Sequence, residues 1–175
     1  MIVGPSGAGK DTLLDGARAA LAENSAYHFA RRVITRPADA GGEAHEAMTR
    51  EGFSALEKDR GFALFWSAHD LSYGIRREIE AELAAGRNVV ANVSRQVLDE
   101  ARLKFPPVRI VEVTATREVL AARLAARGRE TAADIAKRLD RAGAVEVSGA
   151  DVVKVDNSRD LAAGVAAFLD ALKVT

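Results

Sequence analysis

GPSGAGKDT, residues 4–12, follows directly on Met1-Ile2-Val3. Its spacing is G-x-x-x-x-G-K, in which glycines let the backbone curl into a cup of N–H groups. A cup of this kind at the start of a helix suits phosphate, because the N–H groups and the helix dipole both favour negative charge. Gly4, Pro5, Ser6, Gly7, Ala8 and Gly9 are the candidate loop, and Lys10 is the candidate partner of the β/γ-phosphates. The next position usually carries Ser or Thr, whose hydroxyl binds Mg²⁺; here it is Asp11. A carboxylate beside phosphates needs a cation between them, and Mg²⁺ accepts carboxylate oxygen directly or through water. The competing reading of Asp11 is a first-turn acid that the helix dipole favours and that faces solvent. Thr12 lies about 100° further round the helix, nearer the α-phosphate.

The 175 residues suit one domain with a real core. Lys+Arg and Asp+Glu both number 25. The balanced charge argues against a general nucleic-acid or anionic-membrane binder, which needs a positive excess. Without cysteine there is no disulfide, thiolate metal site or Cys nucleophile. No apolar run is long enough to span a bilayer, and no basic segment precedes an apolar one as in a signal peptide. The default expectation is a cytoplasmic protein.

Short apolar runs alternate with amphipathic segments. The pattern predicts strands at 1–3, 29–35, 62–67, 89–93, 108–113 and 152–155. Three residues ahead of Gly4 make a short first strand, or the end of one that begins upstream. Helices are expected over 10–22, 49–58 with Thr49 as cap, 76–85, 95–104, 117–127, 131–145 with Thr131 as cap, and a C-terminal helix capped by Ser158. Residues 36–47 read as a loop. Strands alternating with helices imply an α/β fold, a mostly parallel sheet flanked by helices.

Phosphoryl transfer spreads negative charge over the moving group, so cations and positioning carry the catalysis. Arg123 and Arg127 share a helical face, Arg129 follows Gly128, and Arg138 and Arg141 are three apart on the next helix. This helix–loop–helix over about 117–141 has the layout of a closing lid. A solvated helix pair whose arginines meet Glu118, Glu130 and Asp134 is the alternative. His28, His45 and His69 are scattered in sequence, and no Ser-His-Asp set stands out. An acceptor that is itself a phosphate needs no general base, because its oxygen is already ionised.

From Gly4 onward, GPSGAGK, ITRPADAGGE (34–43), the Phe65-Trp66 and SYG (72–74) segments, RLAARGRE (123–130) and VVKVDN (152–157) resemble the guanylate-kinase branch of the P-loop kinases. The resemblance covers almost the whole chain. It implies a single P-loop NTPase kinase domain over 1–175, with an acceptor-binding insertion at about 30–75, a mobile lid, and ATP with Mg²⁺.

Departures from the guanylate pattern bear on the acceptor. Phe65 stands where guanylate kinases place a guanine-reading acid, Asn92 and Ser94 where they place further acids, and Asp39 where they carry a second phosphate-binding Arg. The stretch that supplies a phosphate-binding Tyr is shortened to AHEAMT (44–49). A site lacking those acids leaves the N–H donors of guanine unpaired and rejects it. GPSGAGKD, RRVITRP (31–37), Glu43-Ala44-His45, Phe-Trp-x-x-His ending at His69, SYG and ARGRE are instead similar to the ribose 1,5-bisphosphate phosphokinase family of bacterial phosphonate breakdown. That family makes 5-phosphoribosyl 1-diphosphate (PRPP) from ribose 1,5-bisphosphate and ATP.

The resemblance implies that residues 4–10 hold ATP and that Asp11 and Thr12 face Mg²⁺ and phosphate. The lid arginines would meet transition-state charge. Arg36 and Tyr73, with Arg32, would grip an acceptor phosphate. Glu43, His45 and His69 are candidates for ribose hydroxyls or the second phosphate, against ordinary polar loop roles. Asn92, Ser94 and Arg95 lie at or just past a strand's C-terminal end, where such sheets bind ligands, and also suit capping, packing or a solvent-facing helix start. Asp156 and Asn157 border a candidate adenine site, and Asn157 suits a turn equally. Trp66 is expected to pack. A nucleoside monophosphate kinase with altered base choice, or a non-catalytic guanylate-kinase-like binding module, are the competing readings. The implied partner is a small sugar phosphate, with no nucleic acid and no membrane.

Overall fold

The computed structural model describes residues 1–39, 43–126, 131, 134–137, 139–140 and 147–173. Their contacts divide them into two compact units. One comprises Ile2–Ala20 and Arg109–Thr175, the other Leu21–Val108 with Met1.

The first unit is built on three parallel strands in the order β1 (Ile2–Val3), β8 (Ile110–Thr114), β9 (Val152–Asp156). Strand β8 lies between the other two and is buried along Ile110–Val113, as expected of a strand covered on both faces. Helix α1 (Lys10–Ala20) buries Leu13, Leu14 and Ala17, and α6 (Leu161–Leu172) buries Phe168 completely. The two helices approach closely at Gly16, where an added Cβ would lie 2.7 Å from Val165 Cγ2. The cap of α6 is Asp160, whose Oδ1 accepts from the N–H of Ala163 at 2.9 Å. The sequence favours Ser158 for that place, but its hydroxyl instead accepts from the N–H of Thr116 at 2.9 Å, ahead of α5 (Arg117–Ala126). Thr131 behaves as the predicted cap: its Oγ1 accepts from the N–H of Asp134 at 3.2 Å, and residues 134–137 are helical.

The second unit holds a parallel pair, β2 (Tyr27–Phe29) with β7 (Asn88–Val90), and a four-stranded sheet. The sheet order is β4 (Glu46–Ala47), β3 (Arg32–Ile34), β6 (Leu71–Arg76), β5 (Phe62–Ala68). Helix α2 (Arg50–Lys58), capped by Thr49, lays Phe53 on Phe62 and Val33, with the two rings 4.4 Å apart. Helices α3 (Ile79–Ala84) and α4 (Leu98–Lys104) complete it, α4 following a 3₁₀ turn at Arg95–Val97.

Three differences from the predicted elements have local causes. The run 29–35 divides into β2 and β3, so one apolar run serves two sheets. Strand β4 appears within the predicted loop because Glu46 and Ala47 pair with Val33 and Ile34. Strand β6 is hidden in sequence because its centre is Gly74, a residue with low strand propensity. Here the glycine is required, since a Cβ would meet Phe62 Cε1 at 2.4 Å.

Arg76 on β6 reaches across β3 to Glu46 on the edge strand, its Nε donating to Oε2 at 2.8 Å. This hydrogen bond, partly opposed by desolvation and aided by the charges of Arg76 and Arg31, holds the Glu46 carboxyl below the ordinary glutamate range. A depressed folded-state pKa stabilises above the unfolded value, and the gain is lost as pH falls through the folded value. Glu46→Gln is therefore expected to lower the thermal midpoint modestly at neutral pH. The difference from wild type should vanish below the glutamate range, which melting curves across pH 3–7 will check.

Candidate active site

The loop of the first unit is shaped by three glycines at positive φ: Gly4 at 147°, Gly7 at 88° and Gly9 at 87°. L side chains rarely occupy such backbone, and at two of these positions space also forbids them. A Cβ on Gly4 would sit 2.2 Å from the carbonyl oxygen of Val113, and one on Gly9 would sit 2.4 Å from Asn157 Nδ2. Gly7 and Ala8 are buried while Ser6 is exposed. Lys10 folds back over the loop, its Nζ donating to the carbonyls of Gly4 at 2.8 Å and Pro5 at 3.0 Å. Its ammonium is thereby fixed relative to the cup. Asp11, half-buried, and Thr12, exposed, occupy the first turn of α1.

Behind the cup lies a clamp. Asn157, 3% exposed, donates from Nδ2 to the carbonyl of Ala8 at 2.8 Å, and its N–H donates to Thr114 at 2.8 Å. Arg123 donates to the same Ala8 carbonyl at 3.3 Å and to the carbonyl of Asn157 at 2.9 Å. The Asn157 amide is boxed in by two glycines: a Cβ on Gly164 would lie 2.4 Å from Oδ1, as one on Gly9 would from Nδ2. Asn157, read from sequence as an adenine-site or turn residue, and Arg123, read as a lid residue, both support the loop. Gly164 escapes that reading. Its available signal is a glycine inside a helix, which costs about 1 kcal/mol and so calls for a packing reason. Arg127, Arg129, Arg138 and Arg141 lie outside the described residues.

In the second unit five of the predicted acceptor residues, Arg32, Arg36, Glu43, His45 and Tyr73, join in one contact chain that also includes Trp66. Trp66, 7% exposed, stacks on Tyr73 with ring centres 5.6 Å apart and planes 3° off parallel. The Arg32 guanidinium lies 5.4 Å over the Tyr73 ring and forms a two-pronged ion pair with Glu43, Nε to Oε2 at 2.8 Å. His45, 6% exposed, donates from Nε2 to the carbonyl of Arg36 at 3.0 Å. Its Nδ1 faces the carbonyl of Glu43 at 3.0 Å and Arg36 Nη2 at 3.4 Å. Arg36 Nε is buried and finds no hydrogen-bond acceptor among the described residues.

Other predicted residues stand apart from this chain of contacts. His69 is exposed at the β5–β6 hairpin turn, where it and Asp70 both take positive φ, 52° and 61°. Ser94 caps the 3₁₀ turn, accepting from the N–H of Gln96 at 3.2 Å. Asn92 is buried and Arg95 begins the turn. Phe65 pairs with Gly74, next to the Trp66–Tyr73 pair, so the strand alternation turns it to the opposite sheet face from those rings. It is 42% exposed and lines a pocket of about 760 Å³ with Phe62, Leu83 and Phe105.

A glycine-cupped loop between a parallel strand and a helix, with its lysine in place, defines a P-loop NTPase fold. A solved guanylate kinase from Anaplasma phagocytophilum shares it at TM-score 0.67 and 17% identity, over 98% of this chain and 83% of that one. No family model matches the chain. Ribose 1,5-bisphosphate phosphokinase PhnN of Acidiphilium cryptum is 52% identical over 173 residues, 98% of this chain and 90% of that protein. The bifunctional ribose 1,5-bisphosphokinase-thymidine phosphorylase of Azorhizobium caulinodans is 48% identical over 98% of this chain. The chain spans 25% of that relative's length. The chain belongs to the ribose 1,5-bisphosphate phosphokinase family.

Proposed function

We propose that the chain transfers the γ-phosphoryl group of ATP to the 1-phosphate of ribose 1,5-bisphosphate, giving PRPP and ADP, in cytoplasmic phosphonate breakdown. Beside family membership, the observation that carries the acceptor reading is Arg36. A guanidinium whose Nε–H finds no acceptor among the described residues suits an anion from outside, and phosphate fits its planar fork. Tyr73, stiffened by Trp66, supplies a hydroxyl on β6, the strand paired with the β3 strand that leads into Arg36.

In this reading the 1-phosphate oxygen attacks the γ-phosphorus, and the bond from that phosphorus to the β–γ bridging oxygen breaks. The attacking oxygen is already ionised, so no side chain need remove a proton. Lys10 and the loop N–H groups hold the transferring phosphates, the clamp of Asn157 and Arg123 keeps those donors aimed, and residues of 117–141 act as the lid. Residues 30–75 serve as the acceptor-binding insertion within one kinase domain.

Mg²⁺ fits the donor set through one carboxylate, Asp11, with ATP oxygens and waters completing the shell, as is usual for this ion. When bound it offsets phosphate charge. Asp11→Ser is expected to shift the Mg²⁺ dependence of turnover; an unchanged Mg²⁺ titration and unchanged kcat would remove Asp11 from the metal site.

The acceptor assignment is tested by following ADP release with ribose 1,5-bisphosphate, GMP and AMP in parallel. Turnover of the sugar bisphosphate with little of either nucleotide is expected. Preference for GMP or AMP would leave the kinase and overturn the acceptor.

A further inference from the structure

His45 is one of few buried polar residues among those described, and its ring touches both Arg36 and the backbone of Glu43. It holds the carbonyl of Arg36 through Nε2. Its Nδ1 lies 3.0 Å from the Glu43 carbonyl and 3.4 Å from Arg36 Nη2. Glu43 has both carboxylate oxygens on Arg32, which itself lies over the Tyr73 ring. With its carboxylate engaged in this way, Glu43 is poorly suited to meet a sugar hydroxyl. The imidazole is therefore the knot between Arg36 and the Glu43–Arg32–Tyr73 chain.

We propose that His45 is a positioning residue that orients Arg36 for an acceptor phosphate, rather than a group that meets the substrate itself. The proposal rests on the acceptor reading of Arg36 given above. Its physical basis is geometric. A guanidinium recognises phosphate through a fixed pair of N–H directions, so a small rotation about the Arg36 backbone loses the match. The ring fixes that backbone at its carbonyl and sits 3.4 Å from Nη2, so it sets the direction of the whole guanidinium, whose Nε finds no acceptor among the described residues.

A double-mutant cycle decides the matter. His45→Ala, Arg36→Ala and the double variant are compared with wild type for the KM of ribose 1,5-bisphosphate, the KM of ATP and the unfolding midpoint. His45→Ala is expected to raise the acceptor KM about ten-fold and to leave that of ATP unchanged. The double variant should be no worse than Arg36→Ala, because His45 acts through that side chain. His45→Gln, whose amide N–H still reaches for the Arg36 carbonyl, should recover part of the loss, and it carries the cycle if the alanine variant fails to fold.

Effects that multiply in the double variant would overturn the proposal, since His45 would then act independently of Arg36. So would an equal rise in both KM values, or a fall in the midpoint with no change in either. If Arg36→Ala alone keeps the wild-type acceptor KM, the acceptor reading itself fails and the proposal falls with it. That outcome is distinct from a normal Arg36 effect with multiplying losses, which sinks the proposal alone.

Discussion

Lys10→Ala is expected to reduce kcat by about a thousand-fold, the scale on which removing one fixed donor to developing charge acts. The Lys10 ammonium is held by two backbone carbonyls at 2.8 and 3.0 Å, so its position costs no reorganisation when substrate arrives. Lys10→Arg should rescue little. A planar guanidinium presents its donors along fixed directions and cannot reproduce a compact ammonium seated on the carbonyls of Gly4 and Pro5. The unfolding midpoint of the free protein should change little in the alanine variant, because Lys10 is only partly buried. Stabilisation by added ATP should fall, which a thermal-shift titration measures directly. Near-normal turnover in Lys10→Ala would remove the loop from the chemistry.

Asn157→Asp is the second large effect expected. The change keeps the shape and replaces one donor by an acceptor, 2.8 Å from the carbonyl of Ala8. Two acceptors then face each other in a site 3% exposed, and the new carboxyl has little room to turn between Gly9 and Gly164. Two acceptors held together in a buried site, with one donor lost, cost roughly 2–3 kcal/mol. Arg123, already bonded to the same carbonyl, offsets part of this through its charge. Denaturant unfolding should show the loss, and the KM of ATP should rise with it because the loop loses its backing. A stable variant with normal ATP affinity would show that the clamp is dispensable.

The parts of this molecule that were legible in sequence are those encoded within a few residues. The cup was readable from glycine spacing and Lys10, and the helix caps at Thr49 and Thr131 from their place before amphipathic runs. Strand β6 was not, because Gly74 answers to Phe62 twelve residues earlier rather than to its own neighbours. The turn that introduces it is formed by His69 and Asp70 at positive φ instead of the usual Asn-Gly. Asn157 meets Ala8 across 149 residues, a pairing no local pattern announces. Resemblance brought Arg32, Arg36, Glu43, His45 and Tyr73 onto one page. It did not show that Glu43 spends its carboxylate on Arg32, or that His45 turns its ring toward the backbone of its neighbours.

In the proposed reaction the acceptor atom is a phosphate oxygen on C1 of a pentose bisphosphate. The most direct measurement is the phosphorus NMR spectrum of a reaction containing Mg²⁺-ATP and ribose 1,5-bisphosphate. The expected result is a new pair of coupled diphosphate signals from the sugar, an unchanged 5-phosphate monoester signal, and one ADP per diphosphate formed. A new monoester signal, which would mean transfer to a sugar hydroxyl, or a diphosphate on C5 would rule out the C1 phosphate as acceptor.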